Sequence, residues 1–231
     1  MSIWGKLGGA AAGFVVAGPI GGIAGALAGH VLFDRGEPGV AFTIAVIALG
    51  AKMAKADGVV TDDEVAAFDR IFHVPENEIA NVRRVFNLAH QDTAGYEAYA
   101  AQIARAFRGN PAMLEDILDG LFEIAKADGV LHPSEQAFLE TVAEIFGFAP
   151  NEFRRIRASH FGPDAADPYA VLGVAYDASE TEIKRTYRLL VRENHPDRLI
   201  ARGVPAEFVK LATDKLAAIN AAYEKILQER G

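Results

Sequence analysis

The chain has no cysteine among its 231 residues, and it has few basic residues. The absence of cysteine excludes disulfides, thiolate metal sites and cysteine nucleophiles, and it is compatible with a reducing compartment. Lys and Arg number 23 against 31 Asp and Glu, which gives a net charge of −8 at pH 7. The overall field is therefore not that of a nucleic-acid-binding protein, and we expect no nucleic acid among its partners.

The N-terminal segment, residues 1–38, contains a long apolar run. Residues 7–33 include no Lys, Arg, Asp or Glu, and a helix of that length can cross the hydrocarbon core of a bilayer. We therefore expect a membrane anchor. Glycine at every fourth residue puts a flat strip on one helix face, where a second helix can approach closely. The segment has two such ladders, and they predict a self-associating anchor and a homodimer through Gly5, Gly9, Gly13, Gly21, Gly25 and Gly29.

Two other interpretations of this segment stay open. A secretory signal peptide is disfavoured, because Lys6 is the only basic residue before the run and the run is longer than a usual signal core. An apolar helical hairpin, broken near Pro19, could instead pack on protein. Because Lys6 and Arg35 flank the run singly, charge does not decide its orientation in a membrane.

The second segment, residues 39–160, holds the acidic excess of the chain and is called the acidic domain below. Apolar residues recur three and four positions apart, and several prolines stand where a first helical turn would begin. Strand-like alternation is absent from its sequence. We therefore predict an all-α bundle of six or seven short helices, with periodic windows at 41–54, 65–72, 79–88, 96–107, 114–124 and 138–146.

An internal repeat lies within the acidic domain. Lys-Ala-Asp-Gly-Val-Val at 55–60 recurs as Lys-Ala-Asp-Gly-Val-Leu at 126–131, and an acid follows each copy at the same offset. The glycine of each copy can end one helix in a left-handed conformation. Thr61 and Glu64 then fit a capping box for the next helix, and Glu135 is the corresponding acid in the second copy.

The same acids could instead hold a divalent metal ion. An EF-hand is excluded, because two positions that need oxygen ligands fall on Met53 and Lys55 in the first copy and on similar residues in the second. A different site, built across the two copies, stays open beside the capping interpretation. Its ligands would be Asp57, Glu64, Asp128 and Glu135.

Residues 161–166 form a linker with Gly-Pro-Asp turn chemistry, and residues 167–231, the C-terminal domain, are balanced in charge. After a short capped helix, a second helix is expected from 179 to 194, where His-Pro-Asp breaks it. A third helix is expected from about 205 to 227. The prediction is two antiparallel helices joined by a polar loop, which extends through residues 199–203.

Four elements of the C-terminal domain resemble a J domain in order and spacing. They are Asp-Pro-Tyr-x-Val-Leu-Gly-Val, a Tyr-Arg-x-Leu helix, His-Pro-Asp and Ile-Asn-x-Ala-Tyr. The resemblance implies that the chain recruits a DnaK-type chaperone and stimulates its ATP hydrolysis, without being an enzyme itself. It also implies an essential loop made of His195, Pro196 and Asp197. The helix before this loop would carry the face that docks on the chaperone, made of Lys184, Arg185, Arg188 and Arg192. Tyr187 would be a further chaperone-binding residue.

The repeat of the acidic domain resembles the TerB-like helical domain, a family associated with tellurite resistance in which some members are suspected of binding divalent metal. The order of apolar segment, TerB-like domain and terminal J domain resembles the DjlA-like co-chaperones, and Trp4-Gly5-Lys6 fits that pattern. This resemblance implies a bacterial inner-membrane protein whose J domain faces the cytoplasm and whose acidic domain selects an unidentified client.

Two other functions stay open beside the co-chaperone. One is a metal-binding stress-response protein in which the J domain is an accessory. The other is an enzyme that uses the repeat acids as a hydrolytic metal site, but His132 is the only histidine near them. Catalytic triads and phosphate-binding glycine loops are missing from the sequence. We therefore expect no catalytic residue and no cofactor, apart from a divalent metal in the acidic domain if that site exists.

Overall fold

The computed structural model describes residues 38–55, 74, 76, 79–91, 95–126, 130–161, 167–205 and 208–231. Every regular element in these ranges is a helix, which confirms the all-α prediction. The predicted membrane anchor with its glycine ladders, the Asp-Gly turns of both repeat copies and residues 162–166 of the linker lie outside the described residues. None of the helices within the described ranges combines the length with the apolar composition that a membrane span needs.

The helices are numbered here in chain order within the described ranges. The acidic domain contributes the first six and the C-terminal domain the remaining four. They are α1 (Pro38–Lys55), α2 (Ile79–Gln91), α3 (Tyr96–Ala106), α4 (Pro111–Ala125), α5 (Pro133–Phe146), α6 (Pro150–Ala158), α7 (Pro168–Leu172), α8 (Glu180–Glu193), α9 (Pro196–Arg202) and α10 (Val209–Arg230).

Helix α1 is the centre of the acidic domain. Apart from Thr43, whose hydroxyl donates to the Gly39 carbonyl, its sequence is apolar on all sides up to Lys52, and residues 41–53 are all buried. A helix of that composition has to be enclosed by others, and α2, α3 and α4 pack around it. At Gly50 the approach to α4 is so close that an added Cβ would lie 2.9 Å from Cδ1 of Ile124.

Local capping decides where the neighbouring helices begin and end. Asn110 caps α4 by accepting the Met113 N–H at 3.2 Å, with Pro111 at the first helical position. The backbone N–H of His132 donates to Glu135 Oε2 at 2.9 Å at the start of α5. This contact confirms the capping role predicted for the acid of the second repeat copy.

The C-terminal domain packs α7, α8 and α10 around its own small core. Leu172, Ile183, Ile219 and Ile226 are buried there. The helix starts agree with the sequence, since Ser179 Oγ accepts the Glu182 N–H at 3.2 Å at the start of α8. The paired helices of the prediction are therefore present, although α10 begins at 209 rather than near 205.

The prediction of a polar loop between these helices is wrong in one respect, because residues 196–202 form helix α9. Pro196 occupies the first helical position, and His195 Nδ1 accepts the Asp197 N–H at 3.2 Å as an N-cap. Gly203, with φ near 90°, ends the helix in a left-handed conformation. Seven residues are too few for apolar periodicity to reveal a helix.

The two domains also share apolar packing that the sequence did not predict. Leu199, Val204 and Phe208 belong to the apolar cluster of the acidic domain, rather than to the core of the C-terminal domain. The ring of Phe208 meets that of Phe42 edge to face, with centroids 4.8 Å apart. The linker therefore separates two stretches of sequence whose helices are in direct contact.

Replacing Phe122 by alanine is expected to lower the free energy of unfolding by about 3–5 kcal/mol, since it leaves a cavity in the core. Phe122 is fully buried on α4, and its ring stacks on the His160 ring at 5.2 Å. Urea unfolding measures the change. The matched control is Leu227→Ala on α10, where the side chain is 47% exposed, with an expected change within about 0.5 kcal/mol. Equal losses in both variants would contradict the assignment of Phe122 to the core.

Candidate functional site

The outer face of α8 is an exposed basic surface. Ile183 and Leu190 point into the C-terminal core, which leaves the opposite side of the amphipathic helix in solvent. Three of the basic residues recur there at four-residue spacing, with a fourth directly after the first, and they line a shallow groove together with the half-exposed Leu189. This basic face consists of Lys184, Arg185, Arg188 and Arg192, all exposed as the sequence pattern required.

His195, Pro196 and Asp197, the His-Pro-Asp loop, lie where α8 gives way to α9. The side chain of His195 is 51% exposed and that of Asp197 is 88% exposed, while Pro196 is half-buried. The cap bond from the Asp197 N–H engages Nδ1 of His195, so it restricts the orientation of the ring. The loop therefore presents an imidazole and a carboxylate to solvent on a proline-stiffened backbone.

Tyr187 is placed differently from the other predicted docking residues. It is half-buried, its ring stacks on Tyr223 with centroids 3.9 Å apart, and its hydroxyl donates to Asn220 Oδ1 at 3.1 Å. These contacts join α8 to α10. A role for Tyr187 in contacting a chaperone stays a prediction.

Of the four acids predicted to bind metal, only Glu135 belongs to the described residues, where its carboxylate caps α5. Asp57, Glu64 and Asp128 lie outside them. Within the described ranges, no group of three or more His, Asp or Glu side chains is arranged to hold a metal ion. Metal binding by the repeat therefore stays a prediction.

A buried cluster of charges, missed by the sequence analysis, joins the two domains. Helix α4 places three carboxylates against the C-terminal domain, which supplies two cations. Lys215 Nζ lies 2.5 Å from Glu115 Oε1 and 2.7 Å from Asp119 Oδ2. Arg202 Nη2 lies 3.0 Å from Asp116 Oδ2. The interdomain ionic cluster is defined as Glu115, Asp116, Asp119, Arg202 and Lys215.

Two further cations from the acidic domain support the same carboxylates. Arg155 Nη2 lies 2.6 Å from Glu115 Oε2. His160 is buried after α6, and its ring nitrogens lie 2.9 Å from Asp119 Oδ1 and 2.8 Å from Glu123 Oε1. Each acid of the cluster therefore has at least one cationic partner, as buried charges require.

These contacts set the protonation of the cluster. Burial is the largest influence on Glu115 and Asp119, and it raises the pKa of each. The lowering influences together outweigh it, namely Lys215 and Arg155 at Glu115 and Lys215 and His160 at Asp119, so both pKa values lie below their ordinary range. Burial likewise lowers the pKa of His160, yet its hydrogen bonds to Asp119 and Glu123 raise that pKa above the ordinary 6.5. At Asp116 burial prevails over the charge of Arg202 and raises the pKa to about 7.

A weak sequence signal for this cluster existed. Lys215 interrupts the apolar register of α10, four residues after Leu211 and four before Ile219. On α4 the acids Glu115, Asp119 and Glu123 recur at four-residue spacing among apolar residues, with Asp116 beside them. Charges at such positions indicate buried partners, but a single sequence does not say which residues those partners are.

Comparison with known proteins adds a family to this geometry. Residues 43–158 match the model of tellurite resistance protein TerB, residues 1–51 match the transmembrane domain of co-chaperone DjlA, and residues 167–230 match the DnaJ domain. The chain is 33% identical to co-chaperone protein DjlA of Coxiella burnetii, over 98% of this chain and 97% of that protein. No solved structure matches the chain.

Other relatives with the same name match the chain over nearly their whole length. Identity is 29% to co-chaperone protein DjlA of Photobacterium profundum, over 99% of both chains. It is 28% to that of Escherichia coli K12, over 100% of this chain and 99% of that protein. The likeness therefore extends across all three segments and is not confined to the His-Pro-Asp loop.

His160 is expected to make stability depend on pH. Its pKa is higher in the folded chain than in the unfolded one, so its contribution is complete below pH 6.5 and is lost as pH rises through the folded pKa. The free energy of urea unfolding of the wild type should therefore exceed that of His160→Gln most below pH 6.5. The difference between the two should shrink as the pH is raised. A difference that stays constant with pH would contradict a charged His160 between two carboxylates.

Proposed function

The chain belongs to the family of DjlA co-chaperones, and we propose that it recruits a DnaK-type chaperone and stimulates that chaperone's ATP hydrolysis. One observation carries the proposal, namely that the His-Pro-Asp loop stands exposed at the end of an exposed basic helix face. J-domain co-chaperones are regulators rather than enzymes. The catalytic residues of the reaction would accordingly be those of the chaperone.

The basic face supplies the long-range part of recognition. Four cations on one side of α8 attract an acidic surface and orient the approaching partner, which raises the association rate more than the final affinity. The short-range part belongs to the loop, where the Asp197 carboxylate can enter a charge network of the chaperone. A change in that network would then alter the rate of hydrolysis on the chaperone.

We propose further that the N-terminal segment holds the protein at the bacterial inner membrane, with the C-terminal domain in the cytoplasm. The match of residues 1–51 to a DjlA transmembrane domain supports membrane anchoring. The orientation follows from the proposed activity, because ATP and DnaK-type chaperones are cytoplasmic. The glycine ladders would allow the anchor to form a homodimer, and the acidic domain would select the client.

Replacing His195 by Gln, or Asp197 by Asn, is expected to remove stimulation of a bacterial DnaK in single-turnover ATP hydrolysis. A lost charge-assisted hydrogen bond in the hydrolysis-competent complex corresponds to roughly a 10- to 100-fold loss. Glu229→Gln, an exposed acid near the end of α10, is the matched control and should stimulate like the wild type. A wild-type chain that gives no stimulation at saturating concentration would contradict the proposal.

The basic face generates a separate expectation about affinity. Arg188→Ala and Arg192→Ala should each raise the concentration needed for half-maximal stimulation up to about fivefold at low salt, since exposed ion pairs are worth up to about 1 kcal/mol. The effect should fade as salt is added. Lys210→Ala removes an exposed cation from α10 and serves as control. Equal effects of all three variants would show that only net charge matters.

A further inference from the structure

We propose that the acidic domain positions the His-Pro-Asp loop, so that stimulation of the chaperone depends on docking of the C-terminal domain against α1 and α4. The inference rests on the proposed function and names the residues that act through the loop without touching the chaperone. These positioning residues are Phe42 and Asp116 in the acidic domain, and Leu199, Arg202, Phe208 and Lys215 in the C-terminal domain.

The apolar contact is the first argument. Leu199 lies on α9, two residues after the loop, and it is 3% exposed within the core of the acidic domain. Phe208 is 2% exposed and packs on Phe42, which is 1% exposed on α1. The residues that follow the loop therefore take their packing partners from α1. Without that helix, this side of the C-terminal domain would expose apolar surface.

Ion pairs tie the two ends of the loop to the same place. Glu193, which ends α8, accepts from Arg198 Nη1 at 2.6 Å, and these two residues bracket the loop. Glu193 Oε2 also lies 3.6 Å from Arg202 Nη1. Arg202 in turn contacts Asp116 of α4. A continuous chain of charges thus runs from the acidic domain to both sides of His195.

Helix α10 is held against the acidic domain by Lys215. This side chain is buried between Glu115 and Asp119, and removing one member of a buried ion pair leaves the other charge unpaired at high cost. The cluster therefore fixes α10 against α4 through Lys215, and it fixes α9 against α4 through Arg202. Two helices that start on either side of Gly203 are anchored to one helix of the acidic domain.

Docking leaves the recognition surface open. Asn194, the residue before the loop, is buried and lines a small cavity together with Phe42 and Leu199. The next residues, His195 and Asp197, are largely exposed, and so is the basic face. The contact consequently holds the backbone of the loop while its functional side chains remain accessible. This arrangement positions the loop and does not inhibit it.

The decisive experiment compares two phenylalanine truncations in the full chain. Phe42→Ala removes the docking contact, whereas Phe138→Ala removes the same atoms from a part of the acidic core where the ring packs on Tyr96. Hydrogen exchange of amides 198–204 should speed up about tenfold more in Phe42→Ala than in the control. The half-maximal concentration for stimulation should rise several-fold in the same variant, with maximal stimulation retained. Phe42→Leu should restore most of both.

The ionic part is tested with substitutions that preserve the fold. Asp116→Ala and Arg202→Met each remove one partner of the same contact, so the double variant should exchange amides 198–204 no faster than the faster single variant. Additive effects of the two substitutions would overturn the proposed chain of charges. They would show that each residue acts through separate neighbours.

The outcomes separate this inference from the function on which it rests. Exchange is measured without chaperone, so equal exchange in Phe42→Ala and Phe138→Ala overturns the positioning role even if stimulation is normal. A wild-type chain that stimulates no DnaK-type chaperone overturns the proposed function, whereas the exchange comparison still decides whether the acidic domain holds the loop. If Phe42→Ala does not fold, the Asp116 and Arg202 variants give the decision.

Discussion

Carboxylates that lie inside a folded protein have to be neutralised, and the contact between the two domains follows from that requirement. Helix α4 buries Asp116 and Asp119 beside the packed face of α1. The acidic domain supplies Arg155 and His160 to Glu115 and Asp119, whereas among the described residues the cation paired with Asp116 is Arg202 of the C-terminal domain. Lys215 is buried as well, and because an unpaired buried ammonium is costly, its charge requires the carboxylates of Glu115 and Asp119. Each domain therefore contains charges that the other completes.

Because each domain pairs buried charges of the other, the C-terminal domain is not independent of the acidic domain. A J domain on a flexible tether would search for its chaperone independently of the rest of the chain. Here the helix that follows the His-Pro-Asp loop is packed into the acidic domain through Leu199, and Phe208 extends the contact to α1. A client held by the acidic domain would accordingly meet the chaperone in one defined geometry. Rigid presentation lowers the entropy lost when such a ternary complex forms.

The buried cluster also makes the contact sensitive to protonation. His160 gains its proton more readily than an exposed histidine because two carboxylates face it, while burial keeps Asp116 protonated to a higher pH than usual. The two acids next to Lys215 behave in the opposite way, because Lys215 lowers their pKa values together with Arg155 at Glu115 and with His160 at Asp119. Neighbouring carboxylates on one helix thus differ in protonation because their partners differ.

Much of the molecule was predictable from the sequence, because local patterns determine local structure. The starts of α8 and α5 follow from residue type and spacing, since Ser179 caps the first and Glu135 the second. The exposed basic face of α8 follows from periodicity. The His-Pro-Asp loop and its surroundings were recognisable because four motifs keep their order and spacing.

What the tertiary structure alone decided are the contacts between residues far apart in the chain. Helix α9 is too short to show a period, and its anchor Leu199 is followed directly by Ile200, so residue type does not indicate that Leu199 is buried and Ile200 exposed. The pairing of Lys215 with Glu115 joins positions 100 residues apart. A single sequence indicates that a charge in an apolar register needs a partner, but the choice of partner depends on how helices pack in three dimensions, which local propensity does not encode.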